Sequence, residues 1–334
     1  MQRCPNSQAN ATAFPMYLPA EVEASIAALW VFPIKSCAGI SVQQAVLTST
    51  GLEHDRAWMV VDADGLMVTQ RELPRMVLVK PEFVDSDAGL AELVLHANGM
   101  ANLHLPLNAE FSIEAHPIKV RVWDDDVPAF DMGTETSKWL TDFLGSSLGP
   151  LRLVRFDQNH HRPSNAKWTQ GLTSHNQFSD GFPVLVASDA SLDELNNRLQ
   201  AKGEATVDIR RFRANIVLGD IHSPQSGVYG QVTNSYPLNA HDEDRIGMLT
   251  IHTNADVNGE SAQLVPVKPC PRCPIPNIDP DLAQSHPSVN ETLQAYRQDP
   301  RVNGALTFGM NCLPVSGIGQ VLRVGQRVSA NWTF

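Results

Sequence analysis

The sequence predicts a mainly β protein with several helices, an α+β chain divided into two domains. Its 334 residues exceed the usual size of one domain, which is about 100–200 residues. Short apolar runs alternate with turn residues along most of the chain, which is typical of a barrel or a sandwich. A helical pattern followed by GSSLGP at 145–150 indicates a domain boundary near the middle.

The first half of the chain begins with an extension and continues with strands. Residues 1–23 lack a continuous apolar segment, so we expect a flexible extension and no signal peptide. The apolar runs 58–62 and 66–70 flank Ala63-Asp64-Gly65 and predict a β-hairpin. The other predicted strands lie in ASIAALWVFPIKS, RMVLVKPEFV, AELVLHA and IKVRVW.

Helix signals then separate the two halves and recur in the second. In TETSKWLTDFLG, four apolar residues share one helical face and Gly145 can end the helix. The segment 191–202 predicts another helix, with a capping box from Ser191 to Glu194 and inward-facing leucines. ETLQAYRQD predicts a short helix. Strands are predicted in LRLVRF, FPVLVAS, RRFRANIVLGD, GMLTIHT, AQLVPVK and the last twenty residues.

Composition excludes several classes of function. The net charge of −11 argues against a nucleic-acid groove, although a few arginines can still hold a small anionic ligand. No apolar run reaches about 18 residues, so we expect no membrane-spanning helix. Five cysteines with one C-x-x-C pattern indicate a reducing compartment, and we expect a cytoplasmic protein.

The segment KPCPRCPIPNIDP at 268–280 holds the cysteine pair. Structural zinc usually needs four ligands, and only one pair is present. A redox dithiol needs a helix that continues past Cys273, which Pro274 and Pro276 block. Both thiols could simply be buried packing groups. Arg272 between them favours a stiff loop that presents a thiolate and a guanidinium to an anionic, metal-bearing ligand. The residues alone leave these alternatives open.

Six segments in order carry a family resemblance. They are VFPIKSCAGI at 31–40, DRAWMVVDADGLMVTQRELPRMVLV at 55–79, FSDGFPVLVASDASLDELNNRL at 178–199, RFRANIVLGD at 211–220, CPRCPIPNIDP at 270–280 and FGMNC at 308–312. Together they closely resemble MOSC proteins of the amidoxime-reducing component family. The resemblance implies two β-barrel-like domains, an N-terminal MOSC barrel at 24–148 and a MOSC domain at 149–334, of the bacterial type without a ferredoxin domain.

The resemblance also implies a cofactor and the residues that hold it. Cys273 would bind molybdenum and act as the catalytic residue. The expected cofactor is molybdenum bound by molybdopterin, with no pyridoxal phosphate. The residues expected to bind it are Lys35, Ser36, Arg56, Ser188, Arg213, Asn215 and Arg272, and the four cations among them should converge on one concave site.

Each residue in that set has a plainer interpretation. Lys35 and Arg56 could be surface charges, and Arg213 could pair with an acid. Asn215 could satisfy backbone in a turn, and Ser188 could cap the following helix. The chain also departs from the family pattern, with Ala214 in place of a usual proline and a long loop at 221–245 beside the expected pocket.

The implied activity is reduction of small N-hydroxylated compounds, such as amidoximes and hydroxylamines. The chain shows no flavin, heme or iron–sulfur motif. We therefore expect a separate electron donor, a ferredoxin or a cytochrome b5-type protein with its reductase. The alternative is a sulfur-carrier or cofactor-binding protein that holds a persulfide on Cys273 or Cys270.

Overall fold

A computed structural model describes residues 22–85, 91–107, 117–145, 148–221, 238–252 and 261–333. Nearly all of the predicted N-terminal extension, and residues 222–237 of the predicted long loop, lie outside the described residues. The described part is mainly strand with four α-helices, which confirms the predicted fold class. None of these described helices is both long enough and apolar enough to span a membrane.

The strands and helices follow the chain in this order. The strands are β1 (Val22–Val31), β2 (Ile40–Val42), β3 (Gln44–Thr48), β4 (Gly51–Leu52), β5 (Trp58–Val61), β6 (Lys80–Asp85), β7 (Ala91–His96), β8 (Leu103–Pro106), β9 (Ile118–Val122), β10 (Asp125–Asp131), β11 (Arg152–Phe156), β12 (Arg162–Pro163), β13 (His175–Asn176), β14 (Val184–Ser188), β15 (Ile216–Gly219), β16 (Ile246–Ile251), β17 (Ala262–Pro271), β18 (Gln298–Asp299), β19 (Ala305–Ser316), β20 (Val321–Arg323) and β21 (Arg327–Trp332). The helices are α1 (Thr134–Leu144), α2 (Ala166–Thr169), α3 (Asp189–Ala201) and α4 (Ser288–Gln294).

Seven strands close a barrel in the order β14, β15, β1, β21, β16, β17 and β19, and β19 pairs back with β14. The pairing of β14 with β15 is parallel, and the other six are antiparallel. A ring with an odd number of strands cannot be antiparallel throughout, so one parallel pair is required. Closure also removes the exposed strand edges that favour aggregation. The strand β1, from the start of the described chain, completes a barrel built from the second half.

A second, open half-barrel contains β5, β11, β10 and β9 in that order, with β6, β7 and β8 forming a sheet nearby. The predicted hairpin is confirmed, because Val68 N donates to Val60 O at 2.9 Å and Asp62 N to Leu66 O at 3.0 Å. The helix α1 packs Leu140 into the core cluster of this half-barrel. It ends at Gly145, as predicted, with φ of 60°.

Several local predictions were wrong at the start of the element. Residues 209–212 form a 3-10 helix, so the strand predicted over 210–220 begins only at Ile216. Residues 74–78 form a 3-10 helix that starts with Pro74, so the strand predicted from Arg75 begins only at Lys80. The helix α3 begins before the predicted capping box, because Ser188 is its N-cap and accepts from Ser191 N at 3.2 Å. Pro74 fits the first turn of a helix, whereas strand pairing would need the N–H that proline lacks.

Candidate functional site

A cavity of about 320 Å³ is lined by residues from both halves of the chain. Seven of the eight residues predicted to form the site line it, namely Lys35, Ser36, Arg56, Arg213, Asn215, Arg272 and Cys273. They come from the loops that follow β1, β4 and β17 and from the turn that precedes β15. The predicted convergence of the four cations on one concave site is therefore confirmed. Whether they bind a cofactor stays a prediction.

The lining of the cavity is strongly cationic although the chain is acidic. The cations are Lys35, Arg56, Arg71, Arg213, Lys268 and Arg272, and the one carboxylate lining it among the described residues is Asp180. In the described part of the chain, no carboxylate pairs with Arg71, Arg213, Lys268 or Arg272, whereas Lys35 pairs with Asp180 and Arg56 with Asp55. A concave surface with several unpaired cations suits an anionic ligand.

The ring of Phe32 organises two of these arginines. The guanidinium carbons of Arg56 and Arg213 lie 4.5 Å and 4.3 Å from its centroid. The Asp55 carboxylate links the backbone of Phe32 to the side chain of Arg56. Phe32 N donates to Asp55 Oδ1 at 2.8 Å, and Arg56 Nη1 donates to Asp55 Oδ2 at 2.5 Å. Gly39 permits this arrangement because a Cβ at that position would lie 2.4 Å from the Phe32 ring. Arg56 is therefore not the surface charge of its plainer interpretation, and among the described residues no acid forms the ion pair that was the plainer interpretation of Arg213.

Three of the site residues have left-handed backbone conformations. Ser36, Arg56 and Arg213 have φ of 68°, 50° and 58°. This region is uncommon for residues other than glycine, and such strained positions cluster at functional sites. The Arg56 backbone is held in place because its N–H donates to Phe32 O at 2.8 Å. The local conformation thus directs the side chains into the cavity at some cost in stability.

Arg213 and Arg272 have unused hydrogen-bond donors at the cavity. Arg213 Nη1 donates to Cys37 O at 2.5 Å, but its Nη2 is buried without a hydrogen-bond partner in the described part of the chain. Arg272 Nη2 donates to Phe212 O at 2.9 Å, and its Nε is likewise buried with no described partner. Burial, together with the Arg56 guanidinium, lowers the pKa of Arg213 to about 9. Because an unsatisfied buried donor costs about 1–3 kcal/mol, a bound anion that accepted these hydrogen bonds would stabilise the site.

Lys35 is buried, with 6% of its surface exposed. Its Nζ donates to Asp180 Oδ1 at 2.5 Å and to Phe178 O at 2.9 Å. Burial lowers the pKa of this ammonium, and the Asp180 carboxylate opposes that effect. Trp123 Nε1 donates to the same carboxylate oxygen at 3.2 Å. Lys35 is therefore a fixed charge of the cavity and not an ordinary surface lysine.

The four described cysteines divide into two classes. Cys37 and Cys312 are fully buried, and burial raises the pKa of the Cys37 thiol to about 12, so it stays protonated. Cys270 and Cys273 are half-buried and line the cavity. Arg272 Nη1 lies 3.0 Å from the Cys270 sulfur. Among the described residues, no group of three or more His, Cys, Asp or Glu side chains could hold a metal ion by itself.

Ser188 and Asn215, two of the predicted site residues, have structural roles. Ser188 does not line the cavity. It caps α3, and its hydroxyl donates to Glu243 Oε2 at 3.0 Å, so the geometry favours the capping interpretation over cofactor binding. Asn215 lines the cavity but also joins neighbouring strands, because its Oδ1 accepts from Leu185 N at 3.1 Å and its Nδ2 donates to Trp30 O at 3.2 Å.

Arg162 supports the site and was missed by sequence reasoning. It is 5% exposed, and its guanidinium donates to the backbone carbonyls of Gln177, Ser179 and Asp180 and pairs with Asp125 at 2.7 Å. These contacts hold the segment that carries Asp180 against the cavity. The acceptors are main-chain oxygens, so no residue pattern marks this arginine. Arg71 and Lys268 were missed as well, since an isolated cation carries no signal in the sequence.

Most of the chain is similar to known proteins. Residues 23–147 match the MOSC N-terminal beta barrel domain, and residues 173–329 match the MOSC domain. Mitochondrial amidoxime-reducing component 1 of Homo sapiens is 35% identical over 285 residues, covering 83% of this chain and 73% of that protein. Mitochondrial amidoxime reducing component 2 of Bos taurus is 33% identical over 280 residues, covering 82% and 72%. Molybdenum cofactor sulfurase of Bos taurus is 28% identical over 282 residues, covering 81% of this chain and 28% of that protein.

Proposed function

Since the chain belongs to the family that combines a MOSC N-terminal beta barrel domain with a MOSC domain, we propose that it is a molybdenum-cofactor oxidoreductase. It would reduce small N-hydroxylated compounds, such as amidoximes and hydroxylamines. The observation that carries the proposal is the cavity, where the accessible thiol of Cys273 shares the lining with six cations, four of which pair with no described carboxylate. The names of the similar relatives support the substrate class.

The lining residues fit the proposed cofactor. Cys273 would bind the metal as a thiolate, which is a soft ligand suited to such a metal. Arg56, Arg213 and Arg272 would bind the phosphate of the pterin, together with Lys35 and Ser36. The fit is supported by the buried N–H groups of Arg213 and Arg272, which have no hydrogen-bond partner among the residues that the structure describes. Asn215 would contribute mainly by holding the strands around the cavity.

The chain's own residues would prepare the site for reduction. When bound, the molybdenum cofactor would supply the two electrons that break the N–O bond of the substrate. The reaction also consumes two protons and releases water and the N–H compound. The cations of the cavity would offset the negative charge of the bound cofactor. A negatively charged ligand would therefore be stable in this partly buried cavity. Phe32 and Asp55 would keep Arg56 in position before the ligand arrives.

We also propose that the electrons come from a separate protein. A ferredoxin or a cytochrome b5-type protein with its reductase would serve, and the reaction would take place in the cytoplasm. The net charge of −11 favours a partner with a basic docking patch. Such docking is weakened by salt because ions screen charges on exposed surfaces.

Metal analysis combined with turnover tests the proposed function. The protein is produced in a molybdenum-replete host, and its molybdenum and pterin contents are measured. Reduced viologen is then supplied as the electron source, and conversion of benzamidoxime to benzamidine is followed. We expect bound molybdenum and turnover. Molybdenum-loaded protein that viologen reduces, but that converts no N-hydroxylated compound from a broad panel, would contradict the proposal.

A second candidate function is sulfur carriage. It is favoured by the similarity to molybdenum cofactor sulfurase and by two half-buried thiols at one cavity. Cys273 or Cys270 would then hold a persulfide, and Arg272, which lies 3.0 Å from the Cys270 sulfur, would stabilise it. Mass spectrometry of the intact protein distinguishes this candidate, because a persulfide adds one sulfur atom that a reductant removes.

A further inference from the structure

Lys268 is a cation of the cavity that has no evident task in binding the cofactor. It lies on β17, opposite Asn311 of β19, and Asn311 Nδ2 donates to its backbone carbonyl at 3.3 Å. Its side chain is half-buried and lines the cavity. No described carboxylate lies within ion-pair distance of its ammonium group.

Lys268 rests on aromatic rings that differ from those under the arginines. Its Nζ lies 5.4 Å from the centroid of Trp168 and 5.7 Å from that of Phe182. Trp168 and Phe182 belong to one small apolar cluster. Arg56 and Arg213 pack on Phe32, Arg272 lies 5.5 Å from the centroid of Phe212, and Arg71 and Lys35 lie over Trp123. Among the described residues that line the cavity, Lys268 is thus the one cation on the rings of Trp168 and Phe182.

An ammonium group above two rings is held in place but keeps its hydrogen-bonding capacity. Cation–π attraction stabilises the charge and restrains the side chain. The three N–H donors of lysine can still bind an anion. The ring of Phe182, which lines the cavity, adds apolar surface for a planar organic group. The combination is suited to an organic molecule with a negatively charged substituent.

We propose that Lys268 and Phe182 form a substrate subsite that selects N-hydroxylated compounds carrying an anionic group, such as a carboxylate, and that Trp168, which does not line the cavity, holds the Lys268 ammonium group in place. This inference rests on the proposed function and adds a substrate class to it. Lys268 acts as a specificity-determining residue: it attracts anionic substrates, disfavours cationic ones and takes no part in holding the pterin.

Three benzamidoximes with the same reacting group test the subsite. They carry hydrogen, a carboxylate or a trimethylammonium group in the para position. With reduced viologen, kcat/KM of the wild-type protein should be highest for the carboxylate and lowest for the trimethylammonium compound. In Lys268→Met, the ratio of kcat/KM for the carboxylate over the neutral compound should fall at least about 10-fold, because a charge-assisted hydrogen bond is lost. In Lys268→Glu, the order of the two charged compounds should invert.

A matched control and a binding measurement separate the possible causes. Lys167 also lies above Trp168, at 5.6 Å, but it is exposed and does not line the cavity, so Lys167→Met should keep the wild-type ratio. Calorimetric affinity for the product 4-carboxybenzamidine should fall in Lys268→Met and not in Lys167→Met. Molybdenum and pterin contents are measured for every variant. Loss of pterin in Lys268→Met would overturn the inference by making Lys268 a cofactor ligand.

The results that would refute this inference differ from those that would refute the proposed function. If the wild-type protein reduces all three compounds without a preference for the carboxylate, the subsite is refuted and the reductase proposal stands. If molybdenum-loaded, reduced protein converts none of them, the reductase proposal and the subsite that rests on it are both overturned.

Discussion

Glu243 is a fully buried carboxyl group, and we predict that replacing it with glutamine removes a pH-dependent loss of stability. It is 1% exposed, and its two oxygens accept hydrogen bonds from Ser191 Oγ at 2.7 Å and Ser188 Oγ at 3.0 Å. Among the described residues it forms no ion pair. Burial raises the pKa of Glu243 to about 7, the Asp244 carboxylate adds to this, and the serine hydrogen bonds oppose it.

The sign and size of the effect follow from the two pKa values. Below an ordinary glutamate pKa of 4.5, Glu243 is protonated in the folded and unfolded states alike, and the stability is complete. As the pH rises toward 7, the unfolded chain loses the proton first, so the folded state loses stability. The difference between 4.5 and about 7 corresponds to about 3 kcal/mol at most. Glutamine cannot ionise, so Glu243→Gln should escape this loss.

Urea denaturation of both proteins between about pH 5 and pH 8.5 measures the effect. We subtract the free energy of unfolding of the wild type from that of Glu243→Gln, because the contributions of all other titrating groups cancel in this difference. The difference should rise with pH and level off above about pH 8. Glu291→Gln, at an exposed position, controls for the amide substitution and should give a flat difference. A difference for Glu243→Gln that is constant with pH, or that falls as pH rises, would refute the assignment of a buried neutral carboxyl.

Three further predictions concern the proposed cofactor site and its electron supply. Cys273→Ala should lose molybdenum and amidoxime reduction with unchanged circular dichroism, whereas Cys270→Ala should keep most of both; the reverse result would reassign the metal ligand. Gly39→Ala should lower the pterin content, measured by fluorescence after oxidation, because the added Cβ would displace Phe32 and the arginines on it. The same overpacking should cost about 1–3 kcal/mol of stability. Undiminished pterin content would show that the Phe32 ring does not position these arginines. The purified protein should not use NADH alone. A ferredoxin or cytochrome b5-type protein with its reductase should restore turnover, at a rate that falls as salt rises, and a salt-independent rate would argue against electrostatic docking.

The local elements of the fold could be predicted from the sequence because their causes lie within a few residues. The helix α1 is fixed by its apolar face and by Gly145, and the hairpin after β5 by its turn residues. The start of α3 was misplaced because Ser188 and Ser191 are both suitable caps. In the structure Ser188 has an extended backbone, with φ of −130° and ψ of 153°, and Ser191 lies inside the helix. Both hydroxyls donate to the buried Glu243, 55 and 52 positions away in the chain, and a local pattern does not show such distant partners.

The candidate site, too, could be predicted from the sequence only in part. The family resemblance selected Cys273 and most of the cations, because those residues stand in matching segments of the sequence. Only the tertiary structure showed that Arg56 and Arg213 share the ring of Phe32 and that four cations of the cavity have no carboxylate partner within the described ranges. It also separated Lys268 from the arginines by placing it on different rings.

The barrel itself was settled by pairing over long distances in the chain. The strand β1 pairs with β15 and with β21, so Ser25 faces both Gly219 and Arg327. The apolar pattern of β1 predicts a strand, but it does not identify the partners, because any neighbouring strand can satisfy the same backbone hydrogen bonds. One arrangement is selected because it closes seven strands into a barrel and buries their shared core. The same closure brings distant loops together. The sequence thus determined the elements and the chemical character of the site, and the packing of remote segments decided how they meet.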